Sequence, residues 1–266
     1  MISNNSPIGF FDSGIGGTSV WKEVIKLLPN ENTIYLSDSE NAPYGEKSAD
    51  EIILLSRKNT DFLLKENCKL IIVACNTATT NAITFLRDAY AIPFIGIEPA
   101  IKPASLITKT NKIGVLATQG TLNSALFEKT SLPIRNTIQI QETNGKGLVT
   151  LIENGQLNSE ETRALLTVYL APMLANNIDS LVLGCTHYPY LIPQIREIIG
   201  PDVQIIDSGE AVAKQTKAIL LKHKILNSDQ KHTANHKLYI NKDKKALEKL
   251  IEDSPVKELK IIEQSF

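Results

Sequence analysis

Short apolar runs rich in β-branched residues alternate with longer segments of helical period, and this alternation constrains the fold more than any other feature of the chain. The runs are IGFFDS (Ile8 to Ser13), TIYLSDS (Thr33 to Ser39), LIIVAC (Leu70 to Cys75), PFIGIEP (Pro93 to Pro99), KIGVLAT (Lys112 to Thr118), TIQIQET (Thr137 to Thr143), LVLGC (Leu181 to Cys185) and VQIIDS (Val203 to Ser208). A strand that is apolar along its whole length needs cover on both faces, which crossover helices between parallel strands supply. The expected class is therefore α/β with mainly parallel sheets. Helices are expected through about Leu28, from about Ser48 to Glu66, and over SEETRALLTVYLAPMLANN, where Ser159 and Thr162 flank the start and Glu160 and Glu161 suit its dipole.

At 266 residues the chain can form one large domain or two modest ones. A net charge of -1 supplies no field that would gather nucleic acid or anionic lipid, so neither is an expected partner. MISNNSPIGFFDSG lacks the basic stretch and apolar core of an export signal, and no apolar run approaches the roughly 20 residues of a membrane span. A cytoplasmic location is expected. Three cysteines, Cys68, Cys75 and Cys185, are too few and too uneven for a disulfide scaffold.

In parallel sheets ligands bind outside the carboxyl ends of the strands. Three polar clusters fall there: Asp12-Ser13, Cys75-Asn76-Thr77 and Cys185-Thr186-His187. The chain also echoes itself. LIIVACNTAT resembles SLVLGCTHYP with the cysteines 110 positions apart, and IGFFDSGIGGTS resembles IGVLATQGTLNS, beginning at Ile8 and Ile113. Two similar strand-turn-helix units would produce such short matches by chance; otherwise they indicate two related α/β domains, each giving one cysteine to a shared cleft. The chain after about Gly209 would then pack back on the first domain.

Each candidate motif has a plain structural explanation beside a chemical one. Gly14, Gly16 and Gly17 suit a phosphate-binding turn, but Ser19 replaces the last glycine of the dinucleotide fingerprint, and a tight strand-to-helix turn explains them equally. Cys68 reads as a packing residue. Cys75 and Cys185 sit where strands give way to helices, whose free N–H groups favour thiolate over thiol. If residues 185 to 187 are extended, Cys185 and His187 share a face and can exchange a proton. Zinc could use two cysteines and a histidine, yet no CxxC or HxxxH begins such a site. A Cys-His hydrolase would employ Cys185 and His187 but leave Cys75 idle. Ala42-Pro43-Tyr44-Gly45 is a turn or a cover over a ligand, Glu153 ends a helix before Gly155, and DKKALEKLIEDSPVKELK reads as a solvated helix and tail.

FDSGIGG, APYG, ACNTAT, GCTHYP and IIDSGEAVA, in that order from Ile8 to Ile219, resemble the glutamate racemases of bacterial cell-wall synthesis. The resemblance implies interconversion of L- and D-glutamate with no cofactor and no metal, supplying D-glutamate to peptidoglycan, in a protein that is a homodimer in many members. An aspartate racemase of the same superfamily is the near alternative, and a non-catalytic ligand-binding protein the distant one. It further implies two similar α/β domains, 1–98 completed by 210–266 and 99–209, with the active site in the interdomain cleft. Carried over by position, Cys75 takes the Cα proton of D-glutamate and Cys185 that of L-glutamate, assisted by Asp12 and His187. Asp12, Ser13, Tyr44, Gly45, Asn76, Thr77, Thr186 and His187 match the substrate contacts, and Thr118, Thr121 and Glu153 match less securely. Thr18 stands where many members carry leucine, with no chemistry attached.

Overall fold

The structure is a computed structural model describing residues 3–229, 231–256 and 258–266. In chain order it runs β1 (Ile8–Asp12), α1 (Thr18–Leu27), β2 (Thr33–Ser37), α2 (Ala49–Lys65), β3 (Leu70–Val73), α3 (Asn76–Ala89) and β4 (Phe94–Gly96). The next block is α4 (Ile101–Ile107), β5 (Lys112–Ala117), α5 (Gln119–Leu122), α6 (Ala125–Arg135), β6 (Gln139–Asn144), α7 (Leu148–Glu153), α8 (Glu160–Ala175), β7 (Ser180–Gly184), α9 (Ile192–Ile199) and β8 (Gln204–Ile206). The chain closes with α10 (Gly209–Lys222), β9 (Asn235–Ile240), α11 (Lys245–Ile251) and β10 (Glu258–Glu263).

These strands form two sheets, ordered β10-β9-β2-β1-β3-β4 and β6-β5-β7-β8, and every pair within them is parallel. The four strands β2-β1-β3-β4 and the four of the second sheet share one order, with Ile8 and Ile113 near the start of equivalent central strands. The internal echo thus has a structural counterpart, and the α/β class with two similar sheets stands as expected.

Pleating sends alternate side chains to opposite cores. Ile8, Phe10 and Ile72 pack with Trp21 and Val24 of α1 and Val212 and Leu220 of α10, whereas Phe11, Ile71 and Val73 pack with Leu63 of α2 and Leu86 of α3. Phe10 and Phe11 are both fully buried, each contributing about 1.5–3 kcal/mol relative to an exposed side chain. In the second sheet Leu181 and Leu183 face α8 and Val182 faces α4. The core holding Phe10 and Trp21 runs on without a break to Leu183, Tyr188 and Met173, joining the two sheets.

Local signals set several boundaries. Ser48 caps α2 in a reciprocal box with Glu51, and Ser159 caps α8 by accepting the Thr162 N–H, as its sequence suggests. The end of the chain differs from expectation. Glu258–Lys260, read as the end of a solvated helix and tail, instead opens β10 at the edge of the first sheet, and HKLYI lies in β9 against β2. Lysine and glutamate on β10 suit an exposed edge, and the same charges read as an amphipathic helix in sequence.

A buried ion pair fastens this returning segment. Lys69 Nζ lies 2.6 Å from Glu31 Oε2, with both side chains essentially inaccessible. The ammonium also donates to the carbonyls of Asn4 and Ile225, and Glu31 accepts the Asn227 N–H at 2.8 Å. Removing one partner strands the other charge in the interior. Lys69→Met should therefore lower the unfolding free energy by about 3–5 kcal/mol in urea titrations. A loss below about 1 kcal/mol, the scale of an exposed pair, would contradict this account.

Candidate active site

The carboxyl ends of β1, β2 and β3 face those of β5 and β7 across one small cavity. From the first sheet its wall includes Ser13, Tyr44, Gly45, Cys75, Asn76 and Thr77; from the second it includes Thr118, Cys185, Thr186 and His187. Asp12, Thr121 and Glu153 stand behind this wall and bond to residues in or beside it. Cys68 lies against Gly9, away from the cavity. A larger cleft of about 640 Å3 adjoins the cavity and shares Pro43, Gly45, Thr118 and Val149 with it.

Cys75 is the N-cap of α3: its backbone is extended (φ -137°, ψ 121°) and its sulfur accepts the Ala78 N–H at 3.4 Å. The Cys75 Sγ–Ser13 Oγ distance is 3.7 Å. The helix start does favour thiolate, but burial wins. Burial first, and then the Asp12 charge, push the Cys75 thiol well above its ordinary range, outweighing the Ala78 and Ser13 contacts. Asp12 accepts the Gly17 N–H at 2.7 Å, so it serves as side-chain cap to α1, whose own N-cap glycine has none. Burial raises the Asp12 carboxyl above its usual value, opposed by the positive charge of His187 and the Gly17 N–H.

Cys185 has a different setting from Cys75. It leads into a 3-10 turn, Tyr188–Leu191, rather than capping a helix. His187 is not extended either (φ -74°, ψ -32°); the turn itself brings its Nδ1 to 3.8 Å from Cys185 Sγ. On the far side Nε2 lies 2.6 Å from Glu153 Oε1. The Gly16 N–H also points at Nε2 (3.2 Å), but the shorter contact to a carboxylate places a proton on Nε2. Burial disfavours the imidazolium, yet hydrogen bonds to Cys185 and Glu153 and their charges prevail, so the His187 pKa lies well above its ordinary value.

Glu153, the last residue of α7, reaches from the second-sheet side to the first. Its Oε1 accepts the Ile15 N–H (2.7 Å) and its Oε2 accepts the Ser39 hydroxyl (2.7 Å). These neighbours account for two glycines. A Cβ at Gly14 would sit 1.9 Å from Glu153 Oε1, and one at Gly16 would sit 2.2 Å from His187 Nδ1. The glycine-rich turn is shaped to admit a carboxylate and an imidazole.

Further contacts join the two sides. The hydroxyls of Thr77 and Thr118 are 2.8 Å apart, and both bond Thr121. Ser19 donates to the Thr186 carbonyl, and Thr18, left without a role by the sequence, meets the Tyr190 hydroxyl at 2.6 Å. Sequence reasoning missed Asp38 and Ser39. Asp38 accepts the Tyr44 hydroxyl and so fixes one wall of the cavity. Their position just past β2, at the same edge as Asp12 and Cys75, was the available signal. Among the described residues no three His, Cys, Asp or Glu side chains gather as metal ligands would, and no helix is long and apolar enough to cross a membrane.

Two sulfurs thus line one small space, one beside a serine and a helix N-terminus, the other beside a histidine anchored by a carboxylate. Such a pair can remove a proton from one face of a bound carbon acid and deliver one to the other. The raised Cys75 pKa predicts that its alkylation by iodoacetamide, followed by peptide mass spectrometry, keeps rising with pH beyond about 8.5, the value of a free thiol. A profile levelling off at that value would contradict the burial argument.

The sequence profile described as Asp/Glu/hydantoin racemase matches residues 14–216. The chain is 46% identical over 223 residues to a glutamate racemase of Herpetosiphon aurantiacus, covering 84% of this chain and 88% of that one. It superposes on the crystal structure of a glutamate racemase isoform of Bacillus anthracis with a TM-score of 0.87 at 32% identity, covering 99% and 98% of the two chains. For the Francisella tularensis glutamate racemase in complex with D-glutamate the TM-score is 0.83 at 31% identity, covering 97% and 98%.

Proposed function

We propose that this chain, which belongs to the Asp/Glu/hydantoin racemase family, interconverts L- and D-glutamate without a cofactor, using Cys75 and Cys185 as its two acid/base groups. The observation that carries the reading is the placement of the two cysteines, from equivalent strands β3 and β7, on the wall of one small cavity. A single base tends to return a proton to the face it left, so inversion at Cα calls for groups on opposite faces.

In the D-to-L direction Cys75, as thiolate, takes the Cα proton and the Cys185 thiol donates one from the other side; the L-to-D direction reverses both. Net charge and proton count are unchanged by a turnover, but the thiolate has moved across the site. Restoring the starting form requires proton exchange, and each sulfur has a neighbour for it. His187 holds a proton within reach of Cys185, and its Nε2 is anchored by Glu153. Ser13 and Asp12 serve Cys75. The high Cys75 pKa favours this sulfur as the thiol at rest and hence as the proton donor when L-glutamate is the substrate.

The α-proton is far less acidic than a thiol, so charge developing on the α-carboxylate must be stabilised. Asn76 and Thr77 open α3, whose first-turn N–H groups and dipole suit a carboxylate, and Thr186 faces them from the second sheet. Tyr44 and Gly45 line the substrate's space, and the burial of the cavity wall strengthens each of these interactions by limiting access of water. The two structural units of this enzyme are 1–98 with 210–266, and 99–209. Its setting is the cytoplasm, as a homodimer supplying D-glutamate to peptidoglycan.

Incubation of the protein with L-glutamate in D2O should place deuterium at Cα and erase optical rotation. Cys75→Ala and Cys185→Ala should each abolish racemisation, a loss of at least about 10³-fold. Full racemisation by either variant would sink the two-base reading, and activity on aspartate rather than glutamate would redirect the substrate assignment.

A further inference from the structure

The segment that returns to the first sheet reaches the active-site wall through one side chain. Asn241 follows β9, which lies beside β2. Its Nδ2 donates to Asp38 Oδ1 at 2.6 Å, and its Oδ1 accepts the Glu40 N–H at 2.9 Å. One carboxamide therefore clasps the loop on both sides of Ser39. That loop carries three functional contacts: Asp38 holds the Tyr44 hydroxyl, Ser39 holds Glu153, and Tyr44-Gly45 lines the cavity.

We propose that Asn241 is a positioning residue for racemisation. It sets the loop 38–45 so that Tyr44 and Gly45 cover the substrate and Ser39 presents its hydroxyl to the carboxylate that anchors His187. This inference rests on the glutamate-racemising function proposed for the site. Asp38 has no spare freedom: it is fully buried, and its oxygens are engaged by Asn41, Tyr44 and Asn241. Asn59 in turn donates to the Tyr44 hydroxyl at 3.2 Å, steadying the ring from α2. Without the Asn241 amide, Asp38 loses a donor, and the Glu40 N–H loses its acceptor. The loop's hold on Tyr44 and Ser39 then weakens together.

The decisive variant is Asn241→Asp, which keeps the side chain's shape but sets a carboxyl against Asp38. Two carboxylates in one site cannot both ionise readily, so one of them retains a proton at mildly acidic pH. In its protonated form the introduced carboxyl can still donate to Asp38; once ionised it repels it. The other ionisable groups near the clasp are the Tyr44 phenol on Asp38, Glu153 on Ser39, and exposed Glu40 and Lys242. All of them are present in both proteins, so the ratio of variant to parent kcat/KM isolates the new carboxyl.

That ratio should lie near one at about pH 6 and fall about tenfold by about pH 8.5, with KM rising more than kcat falls, the scale of one lost hydrogen bond to a charged group. Hydrogen exchange of backbone amides 39–47 should quicken over the same pH range. This readout does not depend on turnover. Asn241→Ala should show the KM increase at every pH, and Asn235→Ala, at the opposite end of the same strand, should leave the kinetics unchanged. A pH-independent ratio for Asn241→Asp, or an unchanged KM with unaltered exchange at 39–47, would overturn the proposal. A parent protein that fails to racemise glutamate would instead overturn the functional reading on which it rests.

Discussion

Parallel pairing governs this molecule. Each chain reversal between parallel neighbours must pass over a face of the sheet, so every strand leaves the sheet at the same edge. Polar residues that follow β1, β2 and β3 are thereby gathered along one line, and those that follow β5 and β7 along another. Facing the two lines toward each other makes a cavity whose chemistry comes from residues far apart in sequence. Asp12, Asp38 and Cys75 lie within one line although 63 positions separate the first from the last. The large shared core containing Phe10, Trp21, Leu183 and Tyr188 holds the lines in register.

Within that frame the two cysteines are made unlike. Cys75 sits at a helix N-terminus, where dipole and N–H groups favour its thiolate, but full burial and the nearby Asp12 charge reverse the balance. Cys185 faces an imidazole whose proton is held by Glu153 across the cleft. The two sulfurs therefore reach equivalent positions with different partners, which suits a reaction whose two faces carry mirror-related substrates. Glu153 is central to the arrangement because it touches both sides: the Ile15 N–H and Ser39 hydroxyl on one, His187 on the other. The glycines at 14 and 16 leave room for that arrangement.

Much of this is legible in the sequence. The eight runs correspond to β1 through β8, and the central ones are the most apolar because parallel strands covered on both faces must be apolar along their length. The cysteines, Ser13, Tyr44, Asn76, Thr77, Thr186 and His187 fall at the strand exits expected of them. Harder to see were β9 and β10. The charges on β10 suit an edge beside solvent, and only its pairing with β9, which in turn pairs with β2, distinguishes it from an amphipathic helix. Asp38 and Ser39 escaped notice because their roles are relayed: each reaches the cavity only through Tyr44 or Glu153.

The sequence by itself determined the class of fold, the strand exits and the pairing of two cysteine motifs, since periodicity and local composition act over a few residues at a time. Tertiary structure alone decided how each group behaves. It turned Cys75 toward the thiol form by burying it, brought His187 onto Cys185 through a turn rather than an extended strand, and carried Glu153 across to Ser39. It also brought Asn241 from the end of the chain to Asp38. Proton affinity and hydrogen-bond partnership depend on everything within a few ångströms, and in a folded chain most of that neighbourhood is distant in sequence.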